Sequence, residues 1–470
     1  MRRLLAVLAV VGLAAAHGPV SGQTPEGAGP CGRVTERLPV PVNVELATVT
    51  DTQAVLTWLT CADGRPHPTG FEVTYSSSAG DGAVGNTKKT PFHWVLLDKL
   101  KPGVTYRYTV SSDGRIAPPD RLNPGVFTTL TPPPGKELVR VAVLADIHLG
   151  ETRSGLATSQ PVEFPPAYSS ERPYPEQMLR GAVADIIGRK AGITLLPADN
   201  SSHGERHDLA TARRLLTPAR PYLIARGAHD RPMQYQDAAA ECPPDGDCFR
   251  AIFRPGVKST DEPQHLPAMR RAGGWTFIAL DSVNLSSGSG TLPADQLEWL
   301  RKKLADAARR DSPAVVFFHH PVAEYSTTLA VPPLVFGVGH QDANAFLRLI
   351  DSYDVRLVIN AHTHRNWISY SPFTGRMPIV EVGPAKEYPA GYSIFRIYEG
   401  GILREWWPTS CDFCNLWRET TRGEYFSLYP LYTQGSLRER AWVHHFERPD
   451  IPFVPSLPGG LWPPAVPGEA

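Results

Sequence analysis

Five apolar runs in this 470-residue chain each stop on side chains that bind metals or move protons. LVRVAVLA leads into Asp146-Ile147-His148, ITLLPA into Asp199, and YLIARGA into His229-Asp230. AVVFF leads into His319-His320-Pro321, and VRLVINA into His362-Thr363-His364. Imidazole and carboxylate together suit borderline divalent ions such as Mn, Fe or Zn better than Ca or Mg. Any one of these pairs has a bland reading, a solvated turn or a satisfied core polar group, because short motifs match by chance. Five of them at strand ends read differently. Strands of an α/β sheet deliver their C-terminal ends to a shared crevice, so the five sets are expected to meet.

The order of these sets resembles the calcineurin-like metallophosphoesterases, whose motifs run DxH, GDx(n)G, GNHD, HHP and GHxH, and the resemblance covers about residues 138 to 405. It implies a centre of two divalent transition-metal ions. Asp146, His148 and His364 would hold the first ion, Asp199 would bridge, and His319 and His362 would hold the second. His320 has a lesser claim and would support the ligands from behind. Two such ions about 3.5–4 Å apart can share a hydroxide that attacks a phosphoester in line while they absorb phosphoryl charge. His229, paired with Asp230, would protonate the leaving oxygen. The implied reaction is hydrolysis of small phosphomonoesters or phosphodiesters.

The sequence departs from the pattern at four positions. Ala228 stands where the family has an asparagine, which would have been a neutral ligand of the second metal. Ala198 and Ala361 replace glycines, and Ser202 stands where an acidic residue or tyrosine is common. His148 and Ser202 together argue against the tyrosinate–iron centre of purple acid phosphatases. Asn200, next to Asp199, has the amide that Ala228 lacks, but strand alternation points it the other way. Two readings follow. One is an active phosphoesterase with a weakened second metal site; the other is a catalytically impaired relative that serves as a binding or adhesion module.

The elements that must position these residues are legible on either side of a proline-rich linker, residues 131–137. Before it, residues 38–130 read as all-β: short runs rich in Val, Thr, Tyr and Trp, divided by Gly, Pro, Asp and Asn turns. LLDKLKPGVTYRYTV resembles the fibronectin type III pattern, with Leu100, Pro102, Gly103 and Tyr106 at a sandwich corner and Trp58 as the core aromatic. Such a sandwich also precedes the catalytic domain of purple acid phosphatases; modules of this kind space, dock or dimerise. After the linker, residues 138–410 alternate apolar strands with helical stretches such as EQMLRGAVADIIGRK, ADQLEWLRKKLADAARR and DANAFLRLIDSY. The expected architecture is an α/β metallophosphoesterase fold, two mixed sheets flanked by helices in an α-β-β-α sandwich. Residues 411–470 read as an irregular, Pro- and aromatic-rich extension. Long loops, residues 159–176, 231–272 and 322–340, are expected to wall the cleft.

Composition narrows the partners. Lys and Arg balance Asp and Glu at 47 each, so no global field favours long nucleic acids. A small phosphoester held by a local site is the expected partner, and no motif specifies an oligomeric state. MRRLLAVLAVVGLAAAHGPVSG has the layout of a secretory signal peptide, expected over residues 1–22 and cleaved after Ala16 or nearer Gly22; the alternative is an uncleaved anchor. No other stretch has the length and apolarity to span a bilayer, so the mature chain is expected to be secreted or periplasmic without a transmembrane segment. Six cysteines, an even number, suit that route. The simplest of about fifteen pairings joins Cys31–Cys61, Cys242–Cys248 and Cys411–Cys414.

Overall fold

The computed structural model describes residues 30–154, 162–163, 172–232, 238–243, 245–256, 265–286, 288–322, 337–423 and 429–446. The expected signal peptide lies outside the described residues, as does part of each loop expected to wall the cleft.

The N-terminal sandwich contains β1 Val40–Val49, β2 Ala54–Ala62, β3 Arg65–Pro66, β4 Thr69–Ser76, β5 Gly82–Thr90, β6 Phe92–Leu97, β7 Thr105–Ser112, β8 Arg115–Ile116 and β9 Val126–Thr128. One sheet has the order β1-β2-β3 with β6 also on β2; the other has β5-β4-β7-β8 with β9 also on β7. Strand β7, TYRYTVSS, shows why the pattern works: every second residue from Tyr106 is buried, as period-two alternation demands of a strand with one face on a core. Between the sheets Trp58 stacks on His93, centroids 4.6 Å apart, and its indole donates to Ser112 Oγ at 2.9 Å. At the corner Gly103 takes a φ of +68°, and the Tyr106 hydroxyl accepts from the Lys101 amide at 2.8 Å.

The second domain builds two six-stranded mixed sheets. Its strands are β10 Glu137–Val143, β11 Arg153–Ser154, β12 Val162–Glu163, β13 Ile193–Leu196, β14 Tyr222–Ile224, β15 Ala268–Ala272, β16 Trp275–Ala279, β17 Ala314–Phe317, β18 Val355–Asn360, β19 Trp367–Tyr370, β20 Pro378–Glu381, β21 Gly391–Tyr398, β22 Gly401–Pro408 and β23 Ala441–His445. The first sheet runs β14-β13-β10-β21-β22-β23 and the second β15-β16-β17-β18-β20-β19. Strands β10, β13 and β14 are mutually parallel, as are β16, β17, β18 and β20. These parallel strands are almost wholly apolar and buried, as expected when both faces are covered.

Residues of both sheets, among them Val141, Leu195, Phe277, Phe317, Ile359 and Phe395, share one core. Helices α1 Tyr174–Gly188, α2 Arg206–Leu216 and α3 Cys248–Phe253 cover the outer face of the first sheet. Helices α4 Ala294–Ala308 and α5 His340–Ile350 cover the second. The order of layers is therefore helix, sheet, sheet, helix, as the sequence led us to expect.

The C-terminal segment corrects one expectation. Residues after 410 are not simply irregular: helix α6 Asp412–Thr421 is capped by Cys411, and β23 completes the edge of the first sheet against β22. Trp417 and Cys414 are fully buried. Frequent aromatics gave this segment its irregular look, yet they are what anchors it to α1. The linker is also packed, with Pro133 and Pro134 seated against Gly401 and Gly400. All six cysteines pair locally, Cys31–Cys61, Cys242–Cys248 and Cys411–Cys414. No helix among the described residues is long and apolar enough to cross a membrane.

Candidate metal centre

Five strands, three from the first sheet and two from the second, end around one buried cluster. Beyond β10 the backbone amides of Asp146, Ile147, His148 and Leu149 are held by the carbonyls of Ala198, Asp199, Asp199 and Asn200 at 2.8–3.1 Å. The two strand ends are thus stitched together past their last ladder bond. Across the sheets, the His362 amide lies 3.3 Å from Asp146 Oδ1; within the second sheet, Ala361 N donates to His319 O at 2.9 Å.

Asp146, His148, Asp199, His362 and His364 all adopt φ between +50° and +69°. Asp and His enter this left-handed region more readily than most residues, but each costs about 1–3 kcal/mol outside glycine. Such strain persists only where the surroundings over-determine it, and here the inter-strand amides do so. Ala198 is more extreme, with φ +102°, where the family pattern has glycine. Gly227 is required for another reason: a Cβ there would meet Asp199 Oδ1 at 2.2 Å and Asp199 N at 2.3 Å.

The six expected ligands come together. Asp146, His148 and His364 form one group whose ligand atoms all lie within 4.8 Å of one another; Asp146, Asp199 and His319 form a second. His319 Nε2 lies 3.2 Å from Asp199 Oδ2, and His362 Nδ1 lies 3.0 Å from His319 Nε2. His320, fully buried beside His319 and His362, joins a third group with them. Its Nδ1 is 2.9 Å from Ser282 Oγ.

The cluster fits cations better than it fits itself. Asp146 Oδ2, His148 Nε2 and His362 Nε2 are buried with no hydrogen-bond partner, although buried polar atoms are nearly always satisfied. Burial pushes the Asp146 carboxyl up to about 6, against the pull of His364 and His319. Burial also pushes the His148 and His362 imidazoles far down, toward the neutral form that ligates metals. Asp199 is held well below the ordinary carboxylate range because His319, His229 and His148 outweigh its burial. Divalent ions would satisfy the orphaned atoms and neutralise the two carboxylates. Asp146, His148 and His364 are grouped so that they could hold one ion, and Asp146, Asp199 and His319, or His319, His320 and His362, are grouped so that they could hold another. Half-buried Ala228 offers no side-chain donor.

The pairing expected of His229 and Asp230 is not made. The Asp230 carboxylate accepts from Asn200 N and Nδ2, Ser201 N and Oγ, and Gly227 N at 2.8–3.2 Å. It ties the Asp199 turn to the β14 end and is 1% exposed. The reason is local: Ala228–Asp230 is a short 3-10 turn, which points consecutive side chains in different directions. Asn200 gives its Nδ2 to this carboxylate, while its Oδ1 is buried without a hydrogen-bond partner. His229 faces the cluster instead. Its ring centroid is 4.6 Å from that of His148, its amide donates to Asp199 Oδ1 at 2.9 Å, and its Nδ1 donates to Ser202 O at 2.9 Å. That last bond leaves Nε2 as the nitrogen available for proton exchange.

Residues the sequence did not single out stand behind the histidines. Glu387 Oε1 is 2.6 Å from His364 Nδ1, and Lys386 Nζ reaches both Glu387, at 3.2 Å, and Glu151, at 2.6 Å. Glu151 follows His148 by three positions, a weak signal; KEYP at 386–389 carries none.

Known families match both domains. The fibronectin type III domain family matches residues 39–117 and the calcineurin-like phosphoesterase family residues 139–366. A Synechococcus protein named "probable cyclic nucleotide phosphodiesterase" is 26% identical over 244 residues, 49% of this chain and 85% of that protein. Among solved structures, a Danio rerio dimetal phosphatase is 12% identical with a TM-score of 0.44, covering 58% of this chain and 98% of its own. A purple acid phosphatase from yellow lupin is 15% identical with a TM-score of 0.41, covering 79% and 72%. Residues 139–366 thus form a calcineurin-like phosphoesterase domain, preceded by a fibronectin type III domain at residues 39–117.

Proposed function

We propose that the protein is an exported phosphoesterase that uses two divalent transition-metal ions, Mn, Fe or Zn, to hydrolyse small phosphomonoesters or phosphodiesters, with the second metal site weakened by Ala228. The observation that carries this reading is the set of buried, unpartnered ligand atoms on Asp146, His148 and His362, gathered with Asp199, His319 and His364. Metal ions supply what side chains cannot, a nucleophile from water at neutral pH and charge stabilisation for a phosphoryl group. The protein's own part is to hold and orient. Asp199 lies between the two sets, in contact range of both His148 and His319. His229 presents Nε2 at the rim with its other nitrogen fixed on Ser202 O, a geometry suited to giving a proton to a leaving alkoxide. Asp230 serves by holding the turn that carries His229 and Asp199.

The disulfides and the leader-like N-terminus support export. The Synechococcus relative's name puts cyclic diesters first among the substrates to screen. Purified protein reconstituted with Mn or Zn is expected to hold close to two metal equivalents and to turn over a nitrophenyl phosphate monoester or diester. Changing His319 to Ala should abolish that turnover. Metal analysis that finds no uptake, with no hydrolysis under added Mn or Zn, would sink this reading and leave the binding-module alternative.

A further inference from the structure

Both histidines of the first ligand set turn Nδ1 to an outer carboxylate, through a short hydrogen bond at His364 and a longer contact at His148, and one lysine stands behind both. His364 directs Nδ1 to Glu387 Oε1 at 2.6 Å and Nε2 toward Asp146 Oδ1 at 3.7 Å. His148 directs Nδ1 to Glu151 Oε2 at 3.5 Å and Nε2 toward Asp199 Oδ2 at 3.5 Å. The two outer carboxylates meet at Lys386, whose ammonium lies 2.6 Å from Glu151 and 3.2 Å from Glu387. Ser154 Oγ adds a bond to Glu387 Oε2 at 2.9 Å. Lys386 is 1% exposed and Glu387 fully buried.

We propose that Lys386, Glu387 and Glu151 form one positioning device for the first metal, a lysine-neutralised carboxylate pair that orients both histidine ligands of that site. The inference rests on the two-metal reading above. An anionic acceptor on Nδ1 fixes the tautomer with Nε2 free, and raises the basicity of the ligating nitrogen. Two carboxylates placed there without a cation would be costly, because a buried charge needs a partner. Lys386 is that partner, and being shared, it couples the orientation of the two rings. The segment that carries it is clamped from both ends. Trp417 Nε1 donates to Lys386 O at 2.8 Å, and Tyr388 N donates to Thr421 Oγ1 at 2.9 Å. Helix α6, in the supposedly irregular extension, therefore holds the device in place.

The three residues are positioning residues, so their test must separate orientation from general folding. The full-length wild type, Glu387→Gln and Lys386→Met are titrated with Mn(II) by calorimetry. Site occupancy is then read from anomalous diffraction of crystals grown at limiting Mn. Both variants are expected to lose about 10–100-fold in affinity at one site, the Asp146–His148–His364 site, with the Asp199–His319–His362 site unchanged. The near-isosteric Glu387→Gln should keep a metal-free melting temperature close to wild type, which a purely structural role would not predict. If both variants fill both sites like the wild type, or lose both sites equally, the device is not what we infer. A wild-type chain that takes up no Mn is a different failure: it overturns the two-metal reading, and this inference with it.

Discussion

At the scale of residues, the site is a set of donors that bury themselves badly without cations. Asp146, His148 and His362 each keep an orphaned buried atom, and five of the six expected ligands sit in left-handed backbone. The sequence displayed the donors because strand ends are short, apolar and easy to see before Asp and His. It also displayed the defect at Ala228. A first-sphere donor restored there should act at least as strongly as the supporting groups around a metal, worth about 10–100-fold in affinity. Ala228→Asn is therefore expected to raise second-metal affinity by at least about tenfold, with turnover rising at limiting metal. Calorimetric titration and rates measured side by side check this; an unchanged second site would remove Ala228 from the account. What residue types could not display was direction. Asp230 follows His229 in sequence but bonds to the turn of residues 199–201, because a 3-10 turn separates neighbouring side chains.

At the scale of elements, period and composition predicted well wherever one face is buried. Strands β2, β4, β6 and β7, the parallel strands of both sheets and helices α1, α4 and α5 all follow apolar spacing that the sequence shows. Elements with weak patterns were missed. GAVGNTKKT forms β5 although it is mostly exposed, since pairing with β4 supplies what its side chains do not. RHDLATARRLL forms α2 despite four charged residues, burying Leu209, Ala212, Leu215 and Leu216 along one face. The pairing of β2 with β6 also makes a prediction. It puts His93 beneath Trp58 with Nε2 near Thr60 and Thr69 at 3.1 and 3.2 Å, and Nδ1 without a partner. Burial pushes this imidazole down to about 4, against a smaller pull from Asp113. The unfolded chain thus takes up this proton near 6.5 and the folded one only near 4. Stability is fully present above about pH 6.5 and is lost as pH falls toward 4, by about 3 kcal/mol in all. Urea unfolding of the full chain at pH 7 and pH 4 should show the wild type losing about that much more than His93→Phe. Equal losses in the two proteins would contradict the assignment.

At the scale of the whole molecule, the fibronectin type III domain is more than a spacer. Ala47 and Val55 share a core with Ala142, Leu144 and Trp407 of the phosphoesterase domain. Thr48 Oγ1 donates to Trp406 O at 2.7 Å, and Arg396 pairs with Asp51 at 2.8 Å. Glu45, 2% exposed, takes the Tyr388 hydroxyl and the Arg422 guanidinium, each at 2.5 Å. Burial works against the Arg422 charge, but Glu45 and Tyr388 more than offset it and hold the guanidinium protonated. Removing one partner of a buried pair costs more than the pair contributes, because the other charge is left behind. Glu45→Ala is expected to lower the unfolding free energy by about 3 kcal/mol, read as a shift of the urea midpoint. A shift worth under about 1 kcal/mol would mean that the contact behaves like a surface pair and that the domains are not held together by it.

The sequence by itself determined the fold class and the order of the two domains and displayed the Asp and His residues at the strand ends, while the cysteine pairing stayed one of about fifteen. Those features depend on local chemistry: apolar period, turn residues, and the residue that follows each strand. Only the tertiary structure decided that Asp230 ties a turn, that Lys386, Glu387 and Glu151 stand behind the histidines, and that residues after Cys411 hold that network in place. Their partners lie up to 235 positions away, and no spacing rule connects groups so far apart. Such contacts exist only once two sheets, an N-terminal sandwich and a C-terminal helix have packed around the same buried site.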